Sequence, residues 1–246
     1  MSLPVYLALT AAEFDRQSPL PEKAGFMACH FSPYSTGLSN LPRTLPEGSL
    51  LILNDRIPVC GHDKDVICRQ LQEAVEEFGC DGVLLDFQRP GNSETTDIAK
   101  AVTEVLPCPV AVTESYAEAL SCPVFLAPPL NIPLDKYITK WNGREVWLEL
   151  GLSMQTITVT KDGSEFGPLL PAEEAEQYFE AEAQCCRYYI NVYEDRVKFT
   201  LYQTKDTLKA LLKKANALGI ARAVGLFQEL GNVIFDEPNS IFEHLL

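Results

Sequence analysis

Asp86 and Gln88 close a short apolar run, Gly82-Val83-Leu84-Leu85, and stand two residues apart. In a strand, residues i and i+2 point to the same side, so Leu84, Asp86 and Gln88 share one face. A carboxylate beside a carboxamide can accept and donate hydrogen bonds to a polar ligand. The pair lacks a general acid at Gln88, because an amide has no proton to give to a leaving group. Glu149 sits among apolar neighbours in Val146-Trp147-Leu148-Glu149-Leu150, and a carboxyl buried there would titrate above its ordinary range. Its other reading is an outward-facing strand residue. Asn54-Asp55-Arg56 and Glu114 end two further apolar runs. Taken singly they read as solvated loop groups; together with Asp86 they are candidates for one polar pocket.

The elements that would position these residues are eight β-rich runs, at 4–9, 25–31, 50–54, 82–88, 109–114, 123–127, 146–152 and 223–228. The runs are nearly continuous in apolar residues, as strands covered on both faces are. Helical patterns lie between many of them. Asp63 caps one whose stripe includes Val66, Ile67, Leu71, Ala74, Val75 and Phe78, and Gly79 ends it. Ser93 is read as the cap of a second, and a third covers about 134–141. Thr204 caps a fourth, with Leu208, Leu211, Leu212, Ala215 and Leu218 on one side and Gly219 at its end. Eight strands at this spacing predict a (β/α)8 TIM barrel, with its sites at the carboxyl ends of the strands. The alternative is an open doubly wound sheet, but no GxGxxG or Walker loop follows any strand. Residues 153–203 break the rhythm with 156–160, an Asp162-Gly163 turn, an acidic helix expected near 171–183, and alternating 187–201 with a turn at Glu194-Asp195. They are read as a small α+β insertion between strands seven and eight, and 1–246 as one domain.

The run Asp81-Gly82-Val83-Leu84-Leu85-Asp86-Phe87-Gln88 resembles the DGxDxDxE signature of glycoside hydrolase family 18, the chitinase-like barrels. Asp81-Gly82 and Asp86 match it. Leu84 stands where the family has its first inner Asp, and Gln88 where it has its catalytic Glu. Leu148-Glu149-Leu150-Gly151-Leu152 is similar to the family's seventh strand, and 201–231 to its closing helix, strand and Leu-Gly end. The resemblance implies a lumen-facing motif whose Glu protonates the glycosidic oxygen while the substrate's acetamido group attacks, an exception to the two-carboxylate scheme. With Gln88 there, chitinase-type hydrolysis is expected to be lost. The family's Tyr-Asp pair on strand six is replaced by Leu126-Ala127-Pro128-Pro129, and its strand-eight Trp by Gln228, with Phe227 beside it. Glu229 is expected to point away from the mouth.

Three classes of function follow. The first is a family-18-like protein that binds a carbohydrate-like small molecule or oligosaccharide through Asp86, Gln88, Asn54, Asp55, Glu114, Gln228 and Phe227. The second is an active glycosidase with a rebuilt site, using Asp86 with Glu114 or Glu149. The third is an interaction module, a homo-oligomer formed through the insertion.

Composition narrows the partners. Twenty Lys and Arg against 34 Asp and Glu give a net charge of −14, which disfavours nucleic acid and anionic lipid. No run reaches the roughly 18 apolar residues of a membrane span. The amino-terminal apolar run lacks a basic segment before it, so no signal peptide is read and a cytoplasmic location is expected. His30, His62 and His244 show no metal-ligand spacing, so neither a metal nor a cofactor is expected. The eight cysteines form no CxxC and read as reduced, mostly apolar packing groups.

Overall fold

The computed structural model describes residues 3–89, 93–173 and 175–235. The chain begins with β1 (Val5–Leu9), α1 (Ala11–Arg16), β2 (Ala24–Phe31), β3 (Leu38–Ser39) and β4 (Leu50–Asn54). Next come α2 (Lys64–Phe78), β5 (Gly82–Asp86), α3 (Ser93–Val105), β6 (Val110–Thr113), α4 (Glu114–Ala117) and β7 (Val124–Leu126). Then follow α5 (Leu134–Tyr137), a 3-10 turn at Ile138–Trp141 and β8 (Val146–Leu150). Strands β9 (Ser153–Thr160), β10 (Gly163–Pro171), β11 (Phe179–Ala181), β12 (Cys186–Val192) and β13 (Arg196–Tyr202) form the insertion. The chain returns through α6 (Lys205–Ala217), β14 (Arg222–Leu226) and α7 (Phe227–Phe235).

Eight parallel strands run in the order β1-β14-β8-β7-β6-β5-β4-β2, and β1 also pairs with β2. That last pairing closes the sheet into a (β/α)8 barrel. Each of the eight apolar runs in the sequence is one of these strands. Most of the last run is β14, which stops at Leu226 instead of Gln228. The helical layer is thin: α4 and α5 have four residues each, and β3 takes the place of a helix between β2 and β4.

Side-chain parity divides the core in two. Leu50 and Ile52 of β4, Leu84 of β5 and Trp147 of β8 fill the lumen with Tyr6, Phe125 and Val224. Their neighbours Leu51, Leu53, Val83, Leu85 and Leu148 pack outward against the helices. Trp147, fully buried, needs the bare backbone of Gly82: a Cβ there would lie 2.8 Å from the indole and 2.9 Å from Pro109 O. Asp63 Oδ1 caps α2 by accepting from Asp65 and Val66 N–H, and Gly79 ends it in the left-handed region at φ 60. Ile67 and Leu71 of that helix are fully buried, worth roughly 1.5–3 kcal/mol each. Thr204 and Thr207 cap α6 reciprocally. Ser93, read from sequence as a cap, is the first helical residue of α3.

The insertion is an antiparallel five-stranded sheet in the order β10-β9-β13-β12-β11. Tyr193 N–H donates to Arg196 O across the expected turn at Glu194-Asp195. The acidic helix expected near 171–183 does not form among the described residues of that stretch; Glu174 lies outside them. β10 runs to Pro171, β11 covers 179–181, and only a 3-10 turn follows at 182–184. Like charges three and four residues apart, such as Glu173–Glu176 and Glu176–Glu180, disfavour a helix. The extended form instead stacks Phe179 on Tyr188 at 5.3 Å and lets Arg187 reach Glu180 at 2.9 Å. No helix among the described residues is long and apolar enough to cross a membrane. All eight cysteines are free thiols; burial pushes that of Cys29 up to about 12.

Candidate functional site

The mouth at the carboxyl ends of the strands holds three adjoining cavities. An inner one of about 80 Å³ lies on top of the lumen core and is lined by Leu84, Asp86, Gln88, Phe125 and Glu149. An outer cleft of about 650 Å³ shares Met27, Asp86 and Gln88 with it and opens toward His30, Arg56 and Arg89. A side cavity of about 210 Å³ shares Glu149 with the inner one and reaches the insertion through Ser153, Leu169 and Gln203. Asp86 and Gln88 therefore stand between the inner cavity and the outer cleft.

Strand parity puts Asp86 above Leu84, and Glu149 above Trp147 across the lumen. Gln88 lies just beyond β5, where the backbone is held on three sides. Asp55, 4% exposed, accepts Gln88 N–H at 3.0 Å on Oδ1 and Arg89 N–H at 2.8 Å on Oδ2. Arg89 Nε donates back to Asp55 O at 2.9 Å, and Tyr116 Oη donates to Arg89 O at 3.2 Å. Thr113 Oγ1 donates to Phe87 O at 2.7 Å. So fixed, Gln88 donates Nε2–H to Asp86 Oδ1 at 2.5 Å.

The electrostatics of this cluster are unusual for an exposed rim. Burial pushes the Asp86 carboxyl up, the Asp55 charge adds to the effect, and the hydrogen bond from Gln88 offsets part of it. Burial also pushes Glu149 up to about 7, with further push from the charges of Asp86 and Glu229. The Glu149 side chain is open to the cavity yet flanked by protein, which reconciles its solvent access with strong desolvation. Among the described residues no lysine, arginine or histidine lines the inner or side cavity. A carboxyl near pH 7 can hold or release a proton there.

The other candidate residues are placed differently. Asn54 donates Nδ2–H to Met27 O at 3.0 Å and Cys29 O at 2.9 Å, closing the bulge in β2, and accepts Arg56 N–H. It and Asp55 line the outer cleft, but their polar atoms serve the backbone. Glu114 accepts from Tyr137 Oη at 2.5 Å and Lys140 Nζ at 3.3 Å, and it lines none of the three cavities. Phe227 packs against the outer core. Gln228 hydrogen-bonds Glu13. Both begin α7 instead of ending a strand, so neither lines the three cavities.

Glu229, expected to point away, lines the side cavity with Glu149 and accepts Leu152 N–H at 3.1 Å. Strand alternation stops at Leu226, and the helical turn carries Glu229 back over the mouth. Phe227 and Leu230, apolar at a spacing of three, are the signal that marks this helix. His30 lines the outer cleft, with ring nitrogens 2.7 Å from Phe31 O and 3.2 Å from Asn40 Nδ2. His244 lies outside the described residues. Among the described residues no three His, Cys, Asp or Glu side chains are grouped to hold a metal ion.

The fold has relatives among solved structures. A glycoside hydrolase family 18 N-acetylglucosaminidase from Paenibacillus barengoltzii superposes with a TM-score of 0.55 at 11% identity, over 99% of both chains. A class V chitinase from Nicotiana tobaccum gives 0.55 at 9% identity, over 92% of this chain and 93% of the other. The spore cortex-lytic enzyme SleL of Bacillus megaterium gives 0.51 at 11%, over 91% of this chain and 70% of the other. At such identities the likeness is one of fold alone. No protein-family model matches the chain, and no curated protein does.

Proposed function

We propose that this chain is a family-18-like carbohydrate-binding protein that has lost chitinase-type hydrolysis. Its ligand is a carbohydrate-like small molecule or oligosaccharide, held across the mouth over Asp86 and Gln88. The observation that carries this reading is the Gln88 carboxamide. Asp55 holds the Gln88 backbone N–H, and the carboxamide itself donates to Asp86, between two cavities. Such a pair offers a donor and an acceptor to sugar hydroxyls, and the amide has no proton for a leaving oxygen.

One observation favours a second reading, an active glycosidase with a rebuilt site. Glu149, raised to about 7 and facing the cavity of Asp86, has the poise of a general acid. Glu114 is a poorer choice, because Tyr137 and Lys140 hold it.

A chromogenic glycoside screen and a glycan array on purified protein, repeated with Gln88→Glu, separate the two. The first reading expects glycan binding without turnover in the wild type, and N-acetylglucosaminide hydrolysis appearing in Gln88→Glu. Wild-type turnover with an acid limb near pH 7, abolished by Glu149→Gln, supports the second. Silence of both proteins on every glycan contradicts both readings.

A further inference from the structure

The outer cleft has a polarity that the Asp86–Gln88 pair does not explain. Two arginines line it, Arg56 and Arg89. Arg89 is locked in place by Nε–H to Asp55 O at 2.9 Å and Nη2–H to Arg56 O at 3.0 Å. Both acceptors are backbone carbonyls, so the bonds fix the guanidinium without neutralising it. Arg56 has its own backbone N–H on Asn54 Oδ1 and its carbonyl on Arg89. Its exposed side chain makes no ion pair or hydrogen bond among the described residues. The backbone under both guanidinium groups is thus ordered, while donor capacity remains facing the cleft.

The carboxylates of the cleft, Asp55 and Asp86, are otherwise engaged. Asp55 accepts two backbone N–H groups, and Asp86 accepts from Gln88. Neither lies within ion-pair distance of Arg56 or Arg89. Among the described residues Arg187 pairs with Glu180, Arg196 with Asp195 and Arg222 with Glu145, while Arg16, Arg43, Arg69 and Arg144 form no such pair; Arg56 and Arg89 are set apart by lining one cleft together. Two guanidinium groups without a carboxylate partner, converging on one cleft, present a positive pole suited to an anion. Guanidinium groups suit a planar carboxylate because two N–H bonds can reach both of its oxygens. The cleft volume of about 650 Å³ falls within the range of small-ligand sites, roughly 300–1,000 Å³.

We propose that the outer cleft selects an acidic carbohydrate, with Arg56 and Arg89 binding a carboxylate carried by the sugar. This proposal rests on the reading of the mouth as a carbohydrate site and names the ligand class. It also fixes the ligand's direction. Glu149 and Glu229 at the other end of the mouth repel an anion, so the carboxylate lies over the arginines and a neutral ring crosses Asp86 and Gln88.

Isothermal titration of the full chain with two hexasaccharides tests it. One is chitohexaose, which is neutral; the other alternates glucuronic acid with N-acetylglucosamine. The uronate probe is expected to bind about tenfold tighter at low salt, or about 1.4 kcal/mol, with the gap closing as salt screens it. Arg56→Gln is expected to bring the two affinities together. Equal affinities in the wild type overturn the proposal, as does a uronate preference that survives Arg56→Gln. Binding of chitohexaose alone overturns it and leaves the carbohydrate reading standing. Binding of neither overturns both.

Discussion

The two ends of the barrel use carboxylates in opposite ways. At the bottom, Asp81 precedes β5 and Glu145 precedes β8. Asp81 accepts from Tyr6 Oη and Lys23 Nζ, both at 2.7 Å. Glu145 accepts from Trp147 Nε1 at 2.7 Å and Arg222 Nη1 at 2.6 Å. The Asp81 carboxyl is held below its ordinary range: its bonds to Lys23 and Tyr6 outweigh burial, the largest influence. At the top of the same two strands, Asp86 and Glu149 face a cavity with no lining cation among the described residues, and both are raised. The paired carboxylates seal and staple the fold. The unpaired ones leave hydrogen-bonding capacity for something that enters. One strand scaffold thus carries bonded, ion-paired carboxylates at one end and carboxylates facing a cavity at the other.

The contrast breaks first if the bottom is disposable. Trp147→Ala removes the largest fully buried side chain of the lumen and frees the bonded Glu145. It is expected to cost roughly 3–5 kcal/mol in denaturant unfolding; a loss below about 1 kcal/mol would mean that the lumen is not the packed base described.

Asp55→Ala probes the frame that holds the mouth. It strands the Gln88 and Arg89 N–H groups that the buried carboxylate accepts. A loss of about 1–3 kcal/mol is expected, together with weakened glycan binding, because Gln88 is no longer fixed. Unchanged binding would separate Gln88 from the ligand.

Glu149→Gln sharpens the comparison with a smaller effect of opposite sign. The folded Glu149 titrates near 7 and its ordinary value is 4.5. Between those pH values the unfolded chain ionises first, so the wild type loses stability as pH rises through that window. The variant should match wild type at pH 4 and exceed it at pH 8. A shift of this size would amount to about 3 kcal/mol if unscreened, and water in the cavity lowers it to roughly 1 kcal/mol. Parallel pH–stability curves would show that Glu149 is not raised. At the bottom the sign reverses: the lowered carboxyl of Asp81 stabilises above its unfolded value, and that contribution fades as pH falls through the folded one.

Much of the scaffold was legible in the residues. Leu50-Leu51-Ile52-Leu53 and Val83-Leu84-Leu85 lie between lumen and helices, so their patterns are continuous and unmistakable as covered strands. Asp63 and Gly79 mark α2 because capping is a local matter. The acidic stretch near 171–183 misled because its helical composition lost to pairing with Tyr188 and Arg187, partners distant in helical spacing. Phe227, Gln228 and Glu229 were misplaced for one reason: a strand that ends two residues early becomes a helix and redirects every side chain after it. The parity of Trp147 could have placed Glu149 in the lumen, since a large indole two residues earlier must fill it. The roles of Asn54 and Asp55 as backbone struts depend on tertiary hydrogen bonds that no local pattern encodes.

The most direct test is calorimetric titration of chitohexaose into the wild type and Asp86→Ala. Saturable binding in the wild type, weakened at least about tenfold by the substitution, is the predicted result. Binding that is indifferent to Asp86, or no binding at all, would contradict the account of the mouth.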